Sequence, residues 1–144
     1  MTDFMPPDPS IDTLDALSET ECRRLLGTQT LGRVGMTSGG LPCILPVCYV
    51  YAEGVVMFRT GVGTKLRAAE SGDVLAFEVD NYDPEMGQGW SVLVLGRASV
   101  VTTEHEHEGL PTLDGQREPG ERNHYVRLHC ELVTGRVIEP ARRF

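Results

Sequence analysis

Within FRTGVGTKLRAAES, residues 58–71, the side chains of Arg59, Thr60, Thr64 and Lys65 crowd around a Gly61-Val62-Gly63 link. Arginine forks onto phosphate oxygens, lysine adds a point charge, and threonine hydroxyls donate hydrogen bonds. Backbone N–H groups at a helix start also favour an anion. These cations gather in a chain with 13 Lys and Arg against 21 Asp and Glu, a formal net charge of -8. The turn is neither of the two common phosphate loops. The G-x-x-x-x-G-K-[ST] spacing is absent, and Leu66 stands where a dinucleotide fingerprint needs its third glycine. The residues therefore allow two readings, a phosphate cradle or an ordinary strand-to-helix turn with solvated cations.

Other chemistry-bearing residues are more scattered. His105 and His107 in EHEHE, residues 104–108, are spaced to share one strand face, as metal ligands do. No third ligand group accompanies them and the flanks are polar, so a solvated loop is expected and no metal. Trp90, the only tryptophan, suits core packing or cover for a flat ring system. His124 and Tyr125 open the last strand, where such residues face either the pocket that Trp90 would cover or nothing. No Ser/His/Asp or Cys/His arrangement has recognisable spacing. Cys22, Cys43, Cys48 and Cys130 form no C-x-x-C pair and lie in apolar segments, so they read as structural thiols.

The elements that must position these residues follow from periodicity. Residues 1–12, with three prolines and three aspartates, read as a loose arm before a single domain over 13–144. Ser18 and Glu21 form an S-x-x-E capping box ahead of a helix with Cys22, Leu25 and Leu26 on one face, stopped by Gly27. TLGRVGMT is a strand and SGG, residues 38–40, a turn. LPCILPVCYVY is apolar on both alternating faces, which predicts a central, well-buried strand. Pro46 inside it must mark a bulge, an edge or a backbone surface turned to a ligand. Glu53-Gly54 makes a hairpin into VVMFRT. Leu66 to Glu70 forms a short helix with Thr64 near its start. DVLAFEVD and WSVLVLGRASVV are strands joined by a polar loop, NYDPEMGQG. Residues 103–122 are polar and broken. HYVRLHCELV is a final strand, after which TGR closes the pattern. One helix, about six short strands and a small inserted helix predict a mainly β antiparallel barrel.

Length and charge set further bounds. A chain of 144 residues buries a core without metal or disulfide help. The acidic balance argues against nucleic acid and against an anionic membrane surface. No apolar run reaches a membrane span. The first residues lack a basic region and an apolar core, so no signal peptide is expected and the cytoplasm is the expected location.

Taken in order, LSETECRRLLGTQTLGRVG, LPVCYVYAEGVVMFRTGVGTKL, VLAFEVD, GWSVLVLGRA and ERNHYVRLHCELVTGRVI resemble the pyridoxamine 5′-phosphate oxidase-like, split-barrel flavin-binding family. The likeness is to its short actinobacterial-type members and runs from about Leu17 to Ile138. The resemblance implies a six-stranded antiparallel split β-barrel with a few short helices, working as a homodimer with two FMN molecules at the subunit interface. By position, Arg59, Thr60, Thr64 and Lys65 would hold the phosphate and ribityl chain. Leu45, Pro46 and Val47 would run along the isoalloxazine ring. Trp90 and Ser91 would approach the ring edge, from the partner subunit. The implied activity is that of a small-molecule oxidoreductase. The alternatives are a reductase using the deazaflavin coenzyme F-420 and a non-catalytic flavin sensor or carrier.

Overall fold

The structure, a computed structural model, describes residues 16–60, 63–101 and 124–139. The chain order is α1 (Glu19–Leu26), β1 (Leu31–Ser38), β2 (Leu41–Ala52), β3 (Val55–Thr60), α2 (Thr64–Glu70), β4 (Val74–Asp83), β5 (Gln88–Val100), β6 (His124–His129) and β7 (Leu132–Ile138). All the pairings are antiparallel. Neighbours run β4-β1-β2-β3-β6-β5, and the β4–β5 pairing closes this run into a six-stranded barrel, with β7 as an extra strand along β5. The mainly β barrel expected from the strand pattern is therefore what the chain forms. Among the described residues, no helix is long and apolar enough to cross a membrane.

Alternation explains the core. Val34 and Met36, Val47 and Tyr49, Phe77 and Val79, and Val92 and Val94 point inward from β1, β2, β4 and β5, and all are buried. Tyr49 and Phe77 meet edge to face with ring centroids 4.7 Å apart. The Cys22, Leu25 and Leu26 face of α1 covers this core, as its periodicity predicts. Ser18 caps α1 by accepting from the Glu21 N–H at 3.2 Å. The reciprocal half of the box differs, because the Glu21 carboxylate turns to Arg24, whose Nη2 lies 2.6 Å away. The four cysteines are free thiols, with Cys22 and Cys130 buried. Burial, above all, pushes both of these thiols up from their usual range, which suits inert packing groups.

Three expectations are corrected. The polar loop NYDPEMGQG is mostly strand, because β4 continues to Asp83, β5 begins at Gln88 and only residues 84–87 turn. The final strand does not end before TGR, which lies within β7. Between the Ala98–Leu128 and Leu95–Leu132 pairs, β5 spends residues 96 and 97 while the later strand spends 129–131. This is a β-bulge with one extra residue. It bends one long strand into β6 and β7 and sends the Cys130 N–H to Gly54 O at 3.1 Å. A Cβ at Gly96 would overlap the His129 carbonyl, so glycine is required at the bend. Third, β2 is not buried throughout. Its first half is bare, with Ile44 on the outer face 73 % exposed and Leu41 at the strand end 71 % exposed. The N-terminal arm and the EHEHE segment lie outside the described residues.

Candidate functional site

The site grows from a fork in the sheet. Residues 41–48 of β2 pair with β1, and residues 49–52 pair with β3. The β2–β3 ladder ends at Tyr49–Phe58. Continued, its register would set Thr60 against Val47, and there the two strands part. Among the described residues, no strand pairs with the other edge of 41–47. The Tyr49 N–H bonds Thr30 O at 3.0 Å, so odd-numbered residues of β2 direct their N–H groups toward β1. The even positions 42, 44 and 46 then face the free edge. Pro42 and Pro46 sit there without an N–H to leave unpaired, and Ile44 stands between them. Of the readings open for Pro46, the edge is the one the ladder supports.

On the other side of the fork lie the predicted cations. Arg59 and Thr60 end β3, facing Tyr125 and His124 of β6 across the ladder. Thr60 is buried at 6 % exposure, a polar exception in the apolar interior of the described residues. Thr64 opens α2, and Lys65 follows, half-buried. Leu66, Ala68 and Ala69 of α2 are buried. Gly63 precedes α2 with extended backbone, makes no side-chain cap, and no acidic residue stands in the first turn. In contrast, α1 has its Ser18 cap and two first-turn acids, Glu19 and Glu21. Arg59 and Thr60 end β3 where it leaves β2, with Tyr125 and His124 across the ladder, and Lys65 lies in the first turn of α2; the alternation of the strand turns the buried Thr60 to the inner face and Arg59 to the outer one. The predicted Leu45 and Val47 lie along the same fork with side chains on the inner face, and Pro46 points outward.

Trp90 and Ser91 are not brought to this place by their own chain. They pair with Asn81 and Asp80, near the β4–β5 turn. The other end of β5, residues 98–100, is the end that pairs with β6. Trp90 faces inward and packs against the core, in line with its packing reading.

Strand register adds a cluster that spacing along the chain does not reveal. Arg33 lies opposite both Pro46 and Glu78. Its Nη1 donates to Glu78 Oε1 at 2.8 Å and sits 3.7 Å from Asp80 Oδ2. Burial first, then the Asp80 carboxyl, push Glu78 up to about 7, against the pull of Arg33. The signal lay in the i, i+2 acids of FEVD, which are ambiguous until β1 is known to lie beside β4.

Known proteins match the chain over most of its length. The family described as pyridoxamine 5′-phosphate oxidase matches residues 18–137. An uncharacterised protein of Mycobacterium tuberculosis, Rv0080, is 33% identical over 132 residues, covering 88% of this chain and 87% of its own. A solved FAD-binding protein from Mycobacterium smegmatis is 35% identical with a TM-score of 0.66, covering 86% of this chain and 97% of that one. An FAD-binding protein from Mesorhizobium loti, 20% identical with a TM-score of 0.69, covers 86% and 97% and shares the fold.

Proposed function

The chain belongs to the pyridoxamine 5′-phosphate oxidase family, and from that premise we propose that it binds a flavin nucleotide, FMN, at the fork between β2 and β3. The observation that carries this reading is the position of Arg59, Thr60 and Lys65 at the end of β3 and the start of α2, beside an edge of β2 that no strand of the described residues pairs with. Two cations and a hydroxyl oppose a phosphate dianion. The fit rests on chemistry already present: the first turn of α2 carries no acid to repel the anion, and the edge beside it is apolar and exposed. The backbone of Leu45 to Val47 lines the apolar ring, and Pro46 keeps that edge closed to a further strand. A bound flavin supplies electron transfer at its ring, and the protein supplies position and local charge. The reading extends to a small-molecule oxidoreductase.

A second copy of the chain completes this reading. Leu31, Ile44 and Val74 are at least half exposed on the outer face of the sheet. An apolar surface of that kind favours association. In a homodimer the partner would cover the free edge and present its Trp90 and Ser91 to the ring. Sedimentation at micromolar concentration is expected to show a dimer, and a clean monomer that retains flavin would contradict the shared site.

FAD is the second reading, favoured by the 35% identical Mycobacterium smegmatis relative that binds it. The deciding experiment is the visible spectrum of the purified protein, followed by mass analysis of the released cofactor. FMN or FAD with flavin absorbance supports the reading. A deazaflavin would replace the cofactor, and a colourless protein that takes up no flavin would end it.

A further inference from the structure

The outer face of the sheet has a charged centre in an apolar surround. Arg33, Glu78 and Asp80 lie side by side there, with Arg33 Nη1 2.8 Å from Glu78 Oε1 and 3.7 Å from Asp80 Oδ2. All three side chains keep part of their surface in solvent. Around them stand Leu31, two positions before Arg33, then Pro46, directly opposite it, and Leu93, directly opposite Glu78. The exposed Ile44 and Val74 lie further along the same face. Pro42 and Pro46 have no N–H to offer at the free edge of β2, so that edge does not invite a further strand. The face is then the surface by which a second copy can pack. It carries both signs of charge, so a twofold axis can set each Arg33 against the carboxylates of its partner.

Charge counting shows what such a contact needs. Each chain sets one guanidinium against two carboxylates, so a twofold contact gathers twice as many acids as cations. Burying unmatched charge is costly, and one proton on each chain balances the set. The other groups facing the acids carry no charge: Leu93 and Ser91 of β5 stand opposite Glu78 and Asp80, and Tyr82 follows Asp80 on β4. Arg136 of β7 lies beyond Ser91, two strands or roughly 10 Å from Asp80. Resting on the homodimer reading above, we propose that association through this face is proton-linked, with Glu78 the group that takes up the proton. Within one chain, burial first and then Asp80 already raise Glu78 to about 7, and loss of its remaining solvent on association raises it further. The dimer then holds more protons than two separate chains. Its gain is complete below the single-chain value of about 7 and is lost as pH rises through the higher value of the dimer. A flavin site shared between two copies would be assembled and released in the same sense.

The test is sedimentation equilibrium of the full chain from about pH 5.5 to about pH 9 at constant ionic strength, on the wild type, Glu78→Gln and Asp80→Asn. Far-ultraviolet circular dichroism at each pH checks that all three stay folded. Wild-type dimer affinity is expected to fall about tenfold or more across that range, because each dimer gives up as many as two protons. Glu78→Gln fixes the neutral form and should change less than about twofold. Asp80→Asn leaves one carboxylate for each guanidinium, so its dependence should flatten as well. A wild-type affinity that is independent of pH, or that strengthens as pH rises, would overturn the proton linkage and leave the dimer standing. So would a dependence in either variant equal to that of the wild type. A monomer at every pH would remove the dimer reading and the linkage with it.

Discussion

The two halves of β2 are built to different ends. Residues 49–52 are pinned by their own chain. Tyr49 is 1 % exposed and donates its hydroxyl to Leu26 O at 2.6 Å, and the Tyr51 hydroxyl accepts from Arg23 Nη1 at 3.2 Å. Arg23 also reaches Glu19 and Cys130 O, so helix, strand and bulge are tied at one point. Residues 41–47 carry Pro42, Ile44 and Pro46 outward, with no strand of the described residues on their far edge. The alternation of apolar residues is continuous through both halves. What differs is whether α1 and β3 are present to use it. The covered half stabilises the fold, and the bare half is the surface left for a ligand and a second chain.

The largest test of that contrast is a pair of truncations. Tyr49→Ala removes a fully buried aromatic and should cost about 3–5 kcal/mol of unfolding free energy in urea titrations. Ile44→Ala, at low concentration where association contributes nothing, should stay within about 0.5 kcal/mol of wild type. Comparable losses at the two positions would break the division. On the ligand side, Lys65→Ala should weaken flavin by roughly ten- to a hundredfold, the equivalent of about 1.5–3 kcal/mol for a charge-assisted bond. Fluorescence quenching reads this directly, and an unchanged affinity would remove Lys65 from the fork.

A smaller effect is expected beside Pro46. Glu78 is raised from its ordinary 4.5 to about 7 in the fold, first by burial. The folded state then holds the proton more tightly than the unfolded chain. The stabilisation from this group is complete below about pH 4.5 and is lost as pH rises through about 7. Denaturation midpoints measured across that window should fall with pH in the wild type, and the slope should flatten in Glu78→Gln. An identical slope in both proteins would place the pH dependence elsewhere.

The barrel was legible because each strand announces itself locally, through alternation and through turn pairs such as Glu53-Gly54. Arg59 to Lys65 could be singled out together for the same local reason, since they are close in sequence. What the sequence concealed depends on pairing between distant segments. The exposure of Ile44 follows from β2 changing partners at Tyr49, which no local pattern marks. The bend at Cys130 needs one extra residue counted against β5. The Arg33–Glu78–Asp80 cluster joins segments whose adjacency only strand register reveals. Trp90, singled out by its rarity, is partly buried and packs against the core of its own chain.

Amide hydrogen exchange with and without saturating FMN tests the central claim most directly. Peptides covering 41–48 and 58–66 are predicted to exchange more slowly when flavin is present. Peptides confined to 49–52 should change little, because their bonds are already made within the chain. Protection confined to other segments, or no change at 41–48 and 58–66 while flavin remains bound, would contradict the placement of the site at the fork.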